Sequence, residues 1–190
     1  MMTKRKTVAL ACALVVVGTV AALVVPYRVW SYKGPGQLRD NGVLSYPRFQ
    51  LELPTIPLGG KVHRRVTFTG IPSEDMSLML YVVGSSFDDE KTLHAAQVQI
   101  TAQLIEEATP ATPRRVICTA AGTPSGKYPE SQWVVTTSAD HAAFWHCQCL
   151  RVPMSRERRY TLDLEISPTG SSLPPKVLVP TLEGGGVELP

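Results

Sequence analysis

The sequence predicts an all-β fold: an antiparallel β-sandwich, Ig-like or jelly-roll-like, of roughly seven to nine strands, preceded by one N-terminal transmembrane helix. Three observations lead there. Residues 7–25 form an apolar run without a charge, apolar side chains recur at every second position through much of the chain beyond residue 48, and Gly- and Pro-bearing turns separate those alternating runs.

The apolar run TVALACALVVVGTVAALVV ends at Pro26. At ~1.5 Å per residue it would extend roughly 28 Å, close to the ~30 Å hydrocarbon core of a bilayer. A buried helix of a soluble protein would show a polar face, and only two threonines interrupt this one. The run exceeds the core of a cleaved signal peptide, and apolar residues continue past the small-residue context Val20-Ala21-Ala22. Tyr27, Trp30 and Tyr32 follow, as interfacial aromatics do at a membrane boundary. The expected organisation is a short basic cytoplasmic tail (1–6), a transmembrane signal anchor (7–26), a juxtamembrane linker rich in Gly, Pro and polar residues (27–48), a β-sandwich domain (49–182) and a flexible C-terminal tail (183–190). Lys4, Arg5 and Lys6 against Arg28, Lys33 and Arg39 give a modest positive-inside bias. With a short tail before the anchor and a long domain after it, the domain is expected outside the cytoplasm, periplasmic or at the cell surface.

About 140 residues beyond the linker suffice to bury a core. In KVHRRVTFT the inward set is Val62, Val66 and Phe68, broken at Arg64. MSLMLYVV is apolar on both faces, with Met76, Leu78, Leu80 and Val82 on one. The segment from Gln97 to Glu106 competes between helix and strand. Val98, Ile100, Ala102 and Leu104 alternate with polar residues and include β-branched side chains, which favours a strand. RRYTLDLEI is the clearest half-buried strand, with Tyr160, Leu162, Leu164 and Ile166 facing one way. A last strand near 176–182 contains Pro180, and proline cannot donate to a ladder, so an edge position is expected.

Charge excludes one class of function. The formal charge is +3, and Lys4, Arg5 and Lys6 account for all of it, leaving sixteen basic and sixteen acidic residues beyond. A nucleic-acid binder concentrates basic charge on its folded domain. No nucleophile elbow, Walker loop, His-Glu-x-x-His or dinucleotide fingerprint occurs, and no catalytic residue or cofactor is assigned. Asp88-Asp89-Glu90 and Glu106-Glu107 read as solvated loops. Arg151, Arg156, Arg158 and Arg159 cluster around a turn, either as a charged loop that keeps strand edges soluble or as a docking patch for an anionic partner or lipid headgroups. Trp133 and Trp145 are the aromatics that a carbohydrate-stacking platform would use. Trp133 is in phase with Val135, which favours the core.

The stretch HCQCL carries the remaining chemistry. In an extended strand Cys147 and Cys149 share a face about 7 Å apart, too far to bond to each other. Cys118, on a strand with Val116 and Ala120, is the expected disulfide partner of Cys147 or Cys149 in an oxidising compartment. That bond would contribute roughly 3–4 kcal/mol. Buried thiols are an alternative. A metal or redox site of Cys147, Cys149 and His146 is another, although zinc would need further ligands and His146 falls on the opposite strand face from Cys147. The function expected is that of a non-enzymatic interaction or envelope-structural module. It would be held in the lipid bilayer by residues 7–26 and meet a protein partner through strand edges or loops.

Overall fold

The computed structural model describes residues 31–42, 44–84, 93, 98–124, 132–137, 143–147, 151–169 and 176–185. Among them the fold is all-β, with twelve strands: β1 (Gln37–Asp40), β2 (Phe49–Glu52), β3 (Ile56–Leu58), β4 (Val62–Thr69), β5 (Asp75–Val82), β6 (Val98–Glu106), β7 (Arg115–Gly122), β8 (Trp133–Thr137), β9 (Ala143–Cys147), β10 (Val152–Pro153), β11 (Arg159–Pro168) and β12 (Lys176–Gly184). The count exceeds the seven to nine expected because β1, β3 and β10 are only two to four residues long. Strands so short carry too few alternations to register in the sequence.

All pairings are antiparallel and form two sheets. The larger has eight strands in the order β1-β2-β12-β5-β9-β8, with β3 added on β12 and β10 on β5. The smaller runs β4-β11-β6-β7. Alternation supplies the inner faces. Met76, Leu78, Leu80 and Val82 of β5 are at most 2 % exposed, as are Tyr160, Leu162, Leu164 and Ile166 of β11. Val98, Ile100, Ala102 and Leu104 of β6 are buried likewise, so the segment is the strand its β-branched residues indicate. Side chains of both sheets join one buried cluster, a sandwich-like arrangement.

Three expectations need correction. The segment expected to be a linker up to residue 48 contains β1, which pairs with β2 from Gln37↔Glu52 to Asp40↔Phe49. The last strand is not at an edge: β12 lies between β5 and the β2/β3 pair, and it takes in Glu183 and Gly184 of the expected tail. Its proline is tolerated because of where the ladder breaks. β2 pairs with residues 181–184 and β3 with 176–178, leaving Pro180 opposite the gap. The Pro180 carbonyl accepts from Leu53 N at 2.8 Å on that side, so its missing N–H would also have pointed there and not at β5. Third, Val116 does not share the inner face with Ala120. A bulge at Leu104/Ile105 sets Val116 opposite Ile105 and leaves it 54 % exposed.

Residues 7–26, the expected anchor, and Tyr27 and Trp30 lie outside the described residues. Among the described residues no helix is long and apolar enough to cross a membrane.

Candidate functional site at the end where the chain joins the fold

Strand register places several polar segments at one end of both sheets. In the smaller sheet, Thr69 ends β4 opposite Arg159, the start of β11. Glu106 ends β6 opposite Tyr160 and Arg115. In the larger sheet the same end holds Asp40, Phe49, Gly184 and Met76, and residues 70–74 bridge the two sheets.

The chain joins the fold here. Lys33 N donates to Thr69 O at 3.0 Å, and Thr69 N returns the bond to Lys33 O at 2.9 Å. Ser31 Oγ donates to Gly70 O at 3.1 Å. Gly70 has φ +75°, and a Cβ there would stand 1.9 Å from Ser31 O, so only glycine lets the two segments meet. Tyr32 packs partly against the core and its hydroxyl donates to Pro35 O at 2.6 Å. Burial pushes its phenol up to about 12. This ring therefore lies against the domain and not on a free tether.

Among the described residues Glu106 is the one acidic residue buried as a whole. Its Oε2 accepts from Arg158 Nη1 at 2.6 Å and from Arg115 Nη2 at 3.2 Å. Oε1 is buried and has no partner among the described residues. Burial alone would raise this carboxyl, but the two guanidinium groups outweigh it and hold the pKa below the ordinary glutamate value. The charge thus ties the β10–β11 turn to the start of β7. Nearby, Ser155 N donates to the buried Tyr160 hydroxyl at 2.8 Å, and Thr69 Oγ1 donates to Arg158 O at 3.0 Å. The reading of Glu106 as a solvated loop residue is corrected. Glu106 shares the parity of Val98, Ile100, Ala102 and Leu104 and so points inward, a signal that four downstream arginines reinforce.

The β1–β2 turn is pinned in the same way. Arg48 donates from Nε and Nη2 to the two oxygens of Asp40 at 3.2 and 3.3 Å, and its guanidinium lies 4.7 Å over the Phe49 ring. Two adjoining grooves run between these turns. One, of about 370 Å³, is lined by Tyr46, Asp75, Ser77, Arg151 and Glu183 among others. The other, of about 510 Å³, is lined by Arg48, Phe49, Ser155, Arg156 and Glu157 among others. Ser73 and Glu74 border both. Burial raises the Glu183 carboxyl, and hydrogen bonds from the Tyr81 hydroxyl at 3.2 and 3.3 Å offset only part of that. Mixed charge in open grooves suits surface contact better than the mostly apolar enclosure that holds a small molecule.

The cysteine stretch is elsewhere in its chemistry. Cys147 is fully buried on β9 opposite Trp133, whereas Cys118 is half-buried on β7 of the other sheet, opposite Leu104. Of the two expected pairings, no disulfide joins Cys118 to Cys147. Cys149 lies outside the described residues. His146 is half-buried on the opposite face from Cys147, and burial lowers its pKa. Among the described residues no three His, Cys, Asp or Glu side chains are grouped to hold a metal ion. Trp133 and Trp145 are both 0 % exposed, so neither presents the stacking surface a sugar would need. Asp88-Asp89-Glu90 lies outside the described residues.

No protein-family model matches the chain, and no curated protein matches it significantly.

Proposed function

We propose that the chain is a single-pass membrane protein whose β domain stands outside the cytoplasm as a non-enzymatic interaction or envelope-structural module. Its mechanism is tethering: residues 7–26 fix it in the bilayer, and its loops meet a protein partner. One observation supports this reading above the others. The segment Ser31–Lys33, five residues beyond Pro26, is hydrogen-bonded to the end of β4 and not left as free chain. A domain so attached is held at a set stance on its anchor, which favours display over long-range reach. The adjoining grooves of mixed charge, bordered by Ser73 and Glu74, are the surface offered to a partner.

Leu44 is 88 % exposed, which makes it a reporter of sidedness. The full chain carrying Leu44→Cys, expressed in cells and converted to right-side-out vesicles, should stay in the membrane through alkaline carbonate and react with an impermeant maleimide. The parent chain corrects for its own thiols. Extraction by carbonate would remove the anchor from this reading. Retention with labelling only after the vesicles are opened would place the domain inside.

A further inference from the structure

We propose that the arginine-bearing end of the domain faces the bilayer and binds anionic phospholipid headgroups. The proposal rests on the anchoring of residues 7–26 and adds a second, polar contact to it.

Geometry selects the end. Five Cα steps from Pro26 to Ser31 span at most about 18 Å. The hydrogen bonds of Ser31 and Lys33 to Gly70 and Thr69 then fix the arriving chain at the end of β4. The β6–β7 and β10–β11 turns lie at that same end, by the register of Glu106 with Arg115 and of Arg159 with Thr69. The opposite end, where the β3–β4 turn carries Gly59 and Gly60, is further by the length of the strands. β11 has ten residues, or about 33 Å at ~3.3 Å each. Only the arginine-bearing end is held within reach of headgroups.

Exposure then sorts the charges there. Lys33, Arg114, Arg115, Arg151, Arg156 and Arg159 are exposed. The exposed acids at this end are Asp75 and Glu157 among the described residues, while Glu74, Glu107 and Glu183 are half-buried. Asp40 and Glu106 are turned inward, their side chains 3 % and 2 % exposed against Arg48, Arg115 and Arg158. The formal charges nearly cancel, but the cations stand outermost. A headgroup surface meets them first, and arginine offers a phosphate two parallel N–H donors. Each basic side chain within a Debye length of an anionic surface adds to the attraction.

The test is hydrogen exchange of the full chain in lipid nanodiscs of phosphatidylcholine alone or containing phosphatidylglycerol. Amides of the turns at 107–114 and 154–158 should exchange at least about fivefold more slowly with the anionic lipid, the equivalent of one basic contact. The Gly59–Gly60 turn should be unchanged. The triple variant Arg151→Gln, Arg156→Gln, Arg159→Gln should lose the difference, as should about 1 M salt, where the Debye length is ~3 Å. Arg158 is left in place because it holds Glu106. Inorganic phosphate added to phosphatidylcholine discs should not reproduce the protection. Equal exchange in both lipids, the same slowing at Gly59–Gly60, or full protection by free phosphate would each overturn the lipid contact. Loss of the chain from the discs under alkaline carbonate would overturn the anchoring itself, and this proposal with it.

Discussion

Arg158 spans from the β10–β11 turn to Glu106 at the end of β6, its Nη1 2.6 Å from a carboxylate oxygen whose side chain is only 2 % exposed. The two partners are unequal. Arg158 and Arg115 can reach water if Glu106 is lost, at 35 % and 61 % side-chain exposure, but Glu106 cannot. An uncompensated buried charge costs about 3–5 kcal/mol, whereas an apolar replacement of the buried group is often tolerated. The double variant Arg115→Ala/Arg158→Ala should therefore unfold at a clearly lower urea concentration, and Glu106→Leu should shift the midpoint much less. Equal losses would mean that the carboxylate is not stranded when its partners go.

Stability should respond to pH through carboxylates shifted in opposite directions. Asp163 on β11 is partly buried, which raises its pKa, but hydrogen bonds from Arg65 and His63 outweigh that and lower it. A depressed carboxyl adds stability that is complete above its unfolded pKa and is lost as pH falls through the folded value. Asp163→Asn should flatten the acid limb of the stability curve and lower stability at neutral pH. Glu183 is raised by burial, so its contribution is complete below the unfolded glutamate value and lost as pH rises through the folded one. Glu183→Gln should then be more stable than the parent at neutral pH, with the gap closing in acid. Urea midpoints between pH 3 and 8 test both signs. A Glu183→Gln chain weaker at neutral pH would show that Tyr81 needs the full charge.

What the sequence made legible depended on how many alternations each strand carries. RYTLDLEI offers four inward residues in a row, and its face was readable without ambiguity. β1 offers only Leu38, 6 % exposed, and is flanked by glycines that read as linker. One of them, Gly36, is in fact a packing residue: a Cβ there would stand 2.1 Å from Glu52 O. The position of Pro180 inside the sheet is not legible in the sequence, because a proline's permitted place depends on the neighbouring ladder, here a gap between β2 and β3. Cys118, opposite the inward-facing Leu104, and Cys147, opposite Trp133, both pack on the core from different sheets, and alternation along a strand does not say which residues of two facing sheets come together. Of the loop end, the arginine cluster was visible in RVPMSRERR. Its buried partner is legible only from parity: the composition of Glu106-Glu107 reads as a solvated loop, whereas Glu106 continues the inward positions of β6.

Trp145 is fully buried between the β8 and β5 partners Val135 and Leu80, and its Nε1 has no acceptor among the described residues. Trp145→Ala should cost about 3–5 kcal/mol through the cavity it opens. Trp145→Phe keeps most of the volume and removes a buried donor that itself costs about 1–3 kcal/mol when unsatisfied. Urea unfolding should show the Phe variant losing less than half as much as the Ala variant. Similar losses would mean that the indole N–H has an acceptor.

The attachment of Ser31–Lys33 to the end of β4 turns on Gly70. Alanine there meets two obstacles, a φ of +75° and a Cβ placed 1.9 Å from Ser31 O. Strain in that backbone region costs of order 1–3 kcal/mol, and the nearest relief is to release Ser31 and Lys33 from β4. Limited tryptic digestion of the full chain in detergent should cut Gly70→Ala after Lys33 at least about fivefold faster than the parent, the factor that 1 kcal/mol represents. Gly59→Ala is the control, since a Cβ at Gly59 meets nothing within 4 Å and it lies at the far end of the sheet. Faster cutting confined to Gly70→Ala would mean that the β4 contacts hold Ser31–Lys33 to the fold, as the proposed tethering requires. Unchanged cutting would mean that Ser31–Lys33 is already released in solution, and the proposed tether would then be at least three residues longer.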